Sequence, residues 1–351
     1  MRERAADPAR HQRRMHAAQQ LMWFRRLALA GAALAAIVVV LGAWVRLTDA
    51  GLGCPDWPGC YGHLYPQSSD AAGKAWHEMI HRYCAGALVL VIGALLGWAG
   101  WRRKDRSQPL APVALLFILV CAQAVLGALT VTQRLRPLIV TAHLLGGLTT
   151  LGLLWWLSIA PQRRDPIPSE RALRPLALAA AGVLLMQLFL GGWTSANYAA
   201  VACPDIPTCQ GRWWPPMDFG DAFVPWQGSN GDYEGGALTY PARTAIQVIH
   251  RLGALVTGSV LLLLAATALV HGRGRLAGAG LLLAGAVVVQ ILLGVAMVRS
   301  GVPLSLATLH NGGAALLVVC MVWLLRALWP AVPESAAPIG VVPLRRVNRA
   351  E

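Results

Sequence analysis

Trp76-His77-Glu78-Met79-Ile80-His81-Arg82-Tyr83 runs without a break into the apolar stretch from Cys84 to Trp101, and this join decides what kind of chain it is. The stretch is long enough to complete a bilayer crossing once its polar entrance is counted. Ionisable side chains in such a span cost about 3 kcal/mol each unless they are partnered. On a helix Glu78 and His81 lie three residues apart and share a face. One such cluster serves equally well as a polar cap at headgroup level. The chain carries it again, however, as Thr244-Ala245-Ile246-Gln247-Val248-Ile249-His250-Arg251, with His and Arg retained and the carboxylate replaced by an amide.

Working outward, 56% of the 351 residues are hydrophobic and 13% charged, with a mean hydropathy of +0.52. This is the composition of an integral membrane protein, not of a soluble enzyme. Apolar runs predict eight transmembrane helices, at 27 to 47, 76 to 100, 110 to 132, 138 to 160, 175 to 195, 244 to 270, 276 to 298 and 303 to 328. The net charge of +14 could suggest nucleic acid. Its distribution argues otherwise. With the N-terminus cytoplasmic, that side carries 21 Lys/Arg against 7 Asp/Glu, and the outer side with the helix mouths carries 9 of each. That is a positive-inside bias, with both termini cytoplasmic. The first apolar run is too long for a signal peptide and lacks a clear cleavage site. Glu3 and Asp7 interrupt the basic stretch, which disfavours a mitochondrial transit peptide and makes a bacterial cytoplasmic membrane the expected location.

The chain repeats itself. Cys54-Pro55-Asp56-Trp57-Pro58-Gly59-Cys60 and Cys203-Pro204-Asp205-Ile206-Pro207-Thr208-Cys209 are offset by 149 residues, as are Trp44 and Trp193. Gln123 to Gly127 matches Gln290 to Gly294 at an offset of 167, and Thr141-Ala142-His143 matches Thr308-Leu309-His310 at that same offset. Four spans per half make the halves like-oriented, a parallel repeat of two four-helix bundles. The expected organisation is a basic segment 1–26, an N-terminal bundle 27–160, a cytoplasmic linker 161–174, a C-terminal bundle 175–328 and a cytoplasmic tail 329–351. Cys84, Cys121 and Cys320 lie inside spans and read as small hydrophobes. The loop pairs Cys54 with Cys60 and Cys203 with Cys209 lie outside the membrane, where disulfides form.

His81, His143, His250 and His310 all fall on even-numbered spans, about 8 to 10 Å below the outer edge at the rise of a helix. A lone intramembrane histidine is more often a packing residue. Two per half, at one depth and in repeat-equivalent positions, predict metal ligation. A structural zinc needs four protein ligands. A di-iron site needs carboxylates that spans three, four, seven and eight do not contain. Two histidines without a carboxylate cage suit a metal that brings four ligands of its own, which is haem. Gly146, Gly147, Gly312 and Gly313 are expected to let a macrocycle approach the backbone. Arg82 and Arg251 follow the ligands and point toward the outer edge. They either pair with haem propionates or snorkel to headgroups.

Together the Arg46-Leu47-Thr48 segment, Glu78-x-x-His81-Arg82, His143, His250 with Arg251, His310 and the paired loop cysteines resemble heme A synthase, over roughly residues 27 to 328. The resemblance implies an oxidoreductase acting on the C8 methyl of haem O, converted to a formyl group by two hydroxylations and loss of water. It implies haem O as substrate between His81 and His143, haem b as cofactor between His250 and His310, and a haem O synthase and an electron donor as partners. Arg46 joins Arg82 and Arg251 as a candidate propionate partner. Glu78, present in the first half alone, is the expected catalytic residue, handling protons at the reacting edge. The first cysteine pair either staples its loop or takes part in redox or haem transfer. The alternatives are a diheme b-type cytochrome and a non-enzymatic haem carrier. A thiol oxidoreductase fits less well, because neither pair is a Cys-x-x-Cys. A homo-oligomer is compatible with the apolar faces, which serve lipid and protein alike.

Overall fold

The computed structural model describes residues 8–67, 72–103, 108–161, 167–226, 228 and 231–329. The expected cytoplasmic segments are therefore covered in part, since residues 1–7, 104–107, 162–166 and 330–351 lie outside the described residues. All the regular elements described are helical: α1 (Pro8–Leu47), α2 (Ala72–Trp101), α3 (Leu110–Thr132), α4 (Pro137–Ser158), α5 (Pro168–Ala172), α6 (Arg174–Ala196), α7 (Phe219–Ala222), α8 (Tyr240–His271), α9 (Arg275–Arg299) and α10 (Leu304–Leu328), with a 3₁₀ turn at Ala199–Ala202. Eight of them are long and apolar enough to cross a membrane. The protein is a multi-pass membrane protein. Leu115, Ile118, Leu281 and Leu292 stand exposed on the outer faces, where lipid rather than water is a tolerable neighbour.

The charge boundary expected after residue 26 is not a structural one. Helix α1 crosses it, because no Gly or Pro intervenes between Pro8 and Gly31 and the run Ala17-Ala18-Gln19-Gln20-Leu21-Met22 favours helix throughout.

Among the described helices α1 packs on α2 and α4, and α3 on α2 and α4; α8 packs on α6 and α9, and α9 on α10. Helix α4 also touches α6 and α10, and α1 touches α10. Lipid offers apolar side chains no less than protein does, so these contacts depend on close approach. Ala28, Ala32 and Ala35 supply it along α1. At Gly192 of α6 a methyl would lie 3.1 Å from both Leu144 and Thr141 of α4.

The two outer loops are built alike. Each closes a disulfide, Cys54–Cys60 and Cys203–Cys209. In the first, the Asp56 carboxylate accepts the N–H groups of Tyr61 at 2.6 Å and Gly62 at 2.8 Å. In the second, Asp205 accepts those of Gln210 at 2.6 Å and Gly211 at 3.0 Å. The turn these carboxylates hold is left-handed, with φ of 52° at Tyr61 and 57° at Gln210, each followed by a glycine. The Gly62 N–H, and then that of Tyr61, hold the Asp56 carboxyl below its ordinary range. For Asp205 the Thr208 hydroxyl does so first, then the Gly211 and Gln210 amides.

Candidate functional site: two histidine-lined cavities

Helices α2 and α4 bring His81 and His143 together, ring centroids 6.4 Å apart and planes at 83°. Two imidazole–metal bonds of about 2 Å each, plus the two ring radii, span about 6 Å. The pair lines a cavity of about 960 Å³ with Gly42, Gln123, Gly127, Glu78, Arg82 and Arg46. His250 of α8 and His310 of α10 line a second cavity, of about 600 Å³, with Gln187, Gln247, Gln290, Arg251 and Arg46. Both volumes are of cofactor size.

A glycine on a neighbouring helix seats each of the four imidazoles. A methyl at Gly42 would lie 3.0 Å from Cε1 of His81, and at Gly191 3.3 Å from Cε1 of His250. At Gly127 it would lie 3.5 Å from Cε1 of His143, and at Gly294 3.2 Å from Cε1 of His310. These four positions keep the 149 and 167 offsets of the repeat, which relates them in the sequence without disclosing that they seat the imidazoles. The glycines that were read need correction. Gly146 and Gly313 make room for the side chains of Gln123 and Gln290, and Gln290 Nε2 uses that room to donate to the His310 carbonyl at 3.1 Å. Gly312 faces Val40, whereas Gly147 does line the first cavity.

The arginines that follow His81 and His250 hold the disulfide loops. Arg82 Nη1 donates to the carbonyls of Asp56 at 2.8 Å and Gly59 at 2.5 Å. Arg251 Nη1 donates to those of Asp205 and Thr208, both at 2.8 Å, and its Nη2 to that of Cys203 at 2.8 Å. Each arginine also lines its cavity. Loop anchoring was not anticipated, because the contacts run between segments over twenty residues apart.

Glu78 is 4% exposed and turned into the protein. One of its oxygens accepts from Arg82 at 2.5 Å and the other from the Cys54 N–H at 2.8 Å. This acid therefore joins the His81 helix turn to the disulfide. Gln247, its counterpart, is equally buried, and its Oε1 has no partner among the described residues. Beside Arg251, the second loop is held by Tyr240 and Gln210, which both donate to the Ala202 carbonyl, at 3.0 and 3.2 Å. All four disulfide cysteines are buried, which suits staples better than exchanging thiols.

The pairs suit a haem. Among the described residues no three His, Cys, Asp or Glu side chains gather to hold a bare ion, so any metal here must bring further ligands of its own. Each cavity offers two facing imidazoles with a glycine behind each, a donor set and a cradle that leave room for a flat macrocycle between them.

A family model described as "Cytochrome oxidase assembly protein" matches residues 25–322. The Heme A synthase of Shewanella oneidensis is 41% identical over 328 residues, which cover 88% of this chain and 97% of that protein. The chain belongs to the heme A synthase family. Other Heme A synthases resemble it over comparable lengths: that of Rhodospirillum centenum is 30% identical across 94% of this chain and 93% of its own, and that of a Bradyrhizobium species 27% identical across 88% and 94%. Within the heme A synthase family frame, the two cavities are related by the repeat yet differ where chemistry would differ, at Glu78 against Gln247 and at Val38 against Gln187.

Proposed function

We propose that this chain is a membrane-embedded enzyme of haem A biosynthesis, with haem O bound between His81 and His143 as substrate. The reaction oxidises the C8 methyl. Each of two hydroxylations replaces a C–H bond by C–OH, a two-electron oxidation for which an oxygen source and an oxidant must come from outside the chain, and the resulting gem-diol loses water to leave the formyl group. The observation that carries this reading is the asymmetry of two otherwise matched sites: buried Glu78 stands on the wall of the first cavity where the second has Gln247, the carboxylate of the second being the more exposed Asp49. An electron-transfer haem needs ligands and a suitable environment, whereas oxidation of a methyl must also move protons.

In this reading His81 and His143 hold the substrate iron and fix the porphyrin in register. Gly42 and Gly127 leave the imidazoles free to face one another. Glu78, held by Arg82 and the Cys54 amide, receives protons released at the reacting edge and passes them toward the loop. The Arg82-pinned loop screens the outer face from water. His250 and His310 would hold haem b, which when bound would supply a one-electron carrier. His250 is oriented by Gln187, whose Nε2 lies 3.1 Å from Nδ1 and donates to the His250 carbonyl at 3.1 Å. The halves are two like-oriented bundles, the termini lie on the cytoplasmic side, and the membrane is the bacterial cytoplasmic one.

The deciding experiment is to purify the protein from cells with and without a haem O supplier, extract the haem and identify it by mass. Haem A together with haem b is expected when haem O is supplied. Haem b alone under both conditions would favour a diheme cytochrome, and unconverted haem O a carrier.

A further inference from the structure

The two cavities meet at one cluster. Arg46, at the C-terminal end of α1, lines both of them. Its Nη2 donates to the Ser195 carbonyl at the end of α6, at 2.8 Å. Its guanidinium lies 3.8 Å from the centre of the Tyr198 ring, and the Tyr198 hydroxyl donates to Asp49 at 2.7 Å. Arg46 with Ser195, and Asp49 with Tyr198, are each 149 residues apart, the offset of the repeat itself. Repeat-equivalent residues that touch one another must lie on the axis relating the halves. The cluster is therefore central, and its two sides are chemically unequal: one half contributes the cation and the anion, the other a carbonyl and a phenol.

We propose that Arg46 is a shared anchor for carboxylates presented from both cavities, so that the propionates of the two porphyrins meet at one guanidinium on the axis. The proposal rests on the reading of the two histidine pairs as haem sites. Three arginines line the cavities, and two of them have their Nη donors committed to loop carbonyls. Arg46, among the described residues, donates hydrogen bonds from Nη2 alone, and its Nη1 approaches Asp49 at a loose 3.7 Å. The side chain is 13% exposed, dry enough for a charge pair to count and open enough for a ligand oxygen to reach it. The stacked Tyr198 ring holds the fork in place without consuming a donor. A cation reached from both sides links the sites: a carboxylate arriving from one cavity changes the field felt in the other, with no movement of helices required.

The test uses full-length protein in detergent, freed of haem and titrated with two probes: haem b, and its dimethyl ester, whose propionates carry no charge. A His310→Ala background leaves the first cavity to be read by the Soret band, and a His143→Ala background leaves the second. With Arg46 intact, each cavity is expected to favour the free acid over the ester by about tenfold, the worth of one charge-assisted hydrogen bond. Arg46→Gln should abolish that preference in both backgrounds. Asp49→Asn, which removes the competing carboxylate, should widen it in both. Because the two variants act in opposite directions, a general loss of folding cannot imitate the result. If Arg46→Gln leaves the preference intact in either cavity, or Asp49→Asn widens it in neither, Arg46 is not a shared anchor. If neither background binds haem b at all, the histidine assignment has failed, and the proposal fails with it.

Discussion

The two cavities differ less in what they contain than in what is tied to it. In the second, Gln187 reaches Nδ1 of His250 and Gln290 reaches the His310 backbone, so both ligands are braced by amides from neighbouring helices. In the first, the position equivalent to Gln187 is Val38, which offers the His81 ring a backbone group and no side-chain amide. Polar bracing is concentrated instead at Glu78, away from the imidazole and against the loop. A braced site suits a resident group. A larger one, without a side-chain amide on His81 and with an acid beside it, suits a group that arrives, reacts and leaves.

The harshest way to break the comparison is to remove a ligand. His81→Ala is expected to abolish haem A formation while the haem b of the second cavity stays bound, and His310→Ala is expected to empty the second cavity first. Haem stoichiometry by mass and Soret titration reads both, and equal loss from both sites in either variant would show that they are not independent. Next, Glu78→Gln makes the first cavity resemble the second. Turnover should fall by about 10²- to 10⁴-fold, the usual worth of a positioned proton-transfer group, with both haems still present. Undiminished haem A production would remove Glu78 from the chemistry and leave it a loop fastener. Because the carboxylate also pairs with buried Arg82, the amide variant is preferable to Ala: both remove the negative charge, but Gln keeps an oxygen to accept from the guanidinium.

How much of this was legible in the sequence depends on separation along the chain. The spans, the four histidines and the cysteine motifs are local or periodic, and each can be read within a few turns of helix. Arg82 and Arg251 were noticed, but not what they hold, because a backbone carbonyl leaves no mark in a sequence. Gln187 and the Arg46 cluster were invisible for another reason: their partners lie 63 and 149 residues away, and no pattern within one segment encodes such a meeting. Gly42 and Gly191 could have been found by extending the repeat alignment into the ends of α1 and α6.

A gentler change sharpens the contrast. Gln187→Val gives the second cavity the residue found in the first, and should weaken haem b binding by about 10- to 100-fold, as loss of a partner to a ligating histidine does. Unchanged affinity would mean that the amide orients nothing. The smallest effect concerns the loops. Both aspartates have folded-state pKa values below those of the unfolded chain, so their hold is complete above the ordinary carboxylate range, near pH 4. It is lost as pH falls through the depressed values. Amide protection at Tyr61 and Gly62 should therefore decline on the acid side, and Asp56→Asn should lower it at neutral pH and flatten the profile. A profile unaltered by the substitution would mean that the carboxylate is not what holds the turn.

The single turn of α2 from Glu78 to Arg82 carries His81 on the cavity side and grips the loop on the other. Cavity wall and loop clamp are thus one piece, and a displacement of the loop is felt by the residue next to His81.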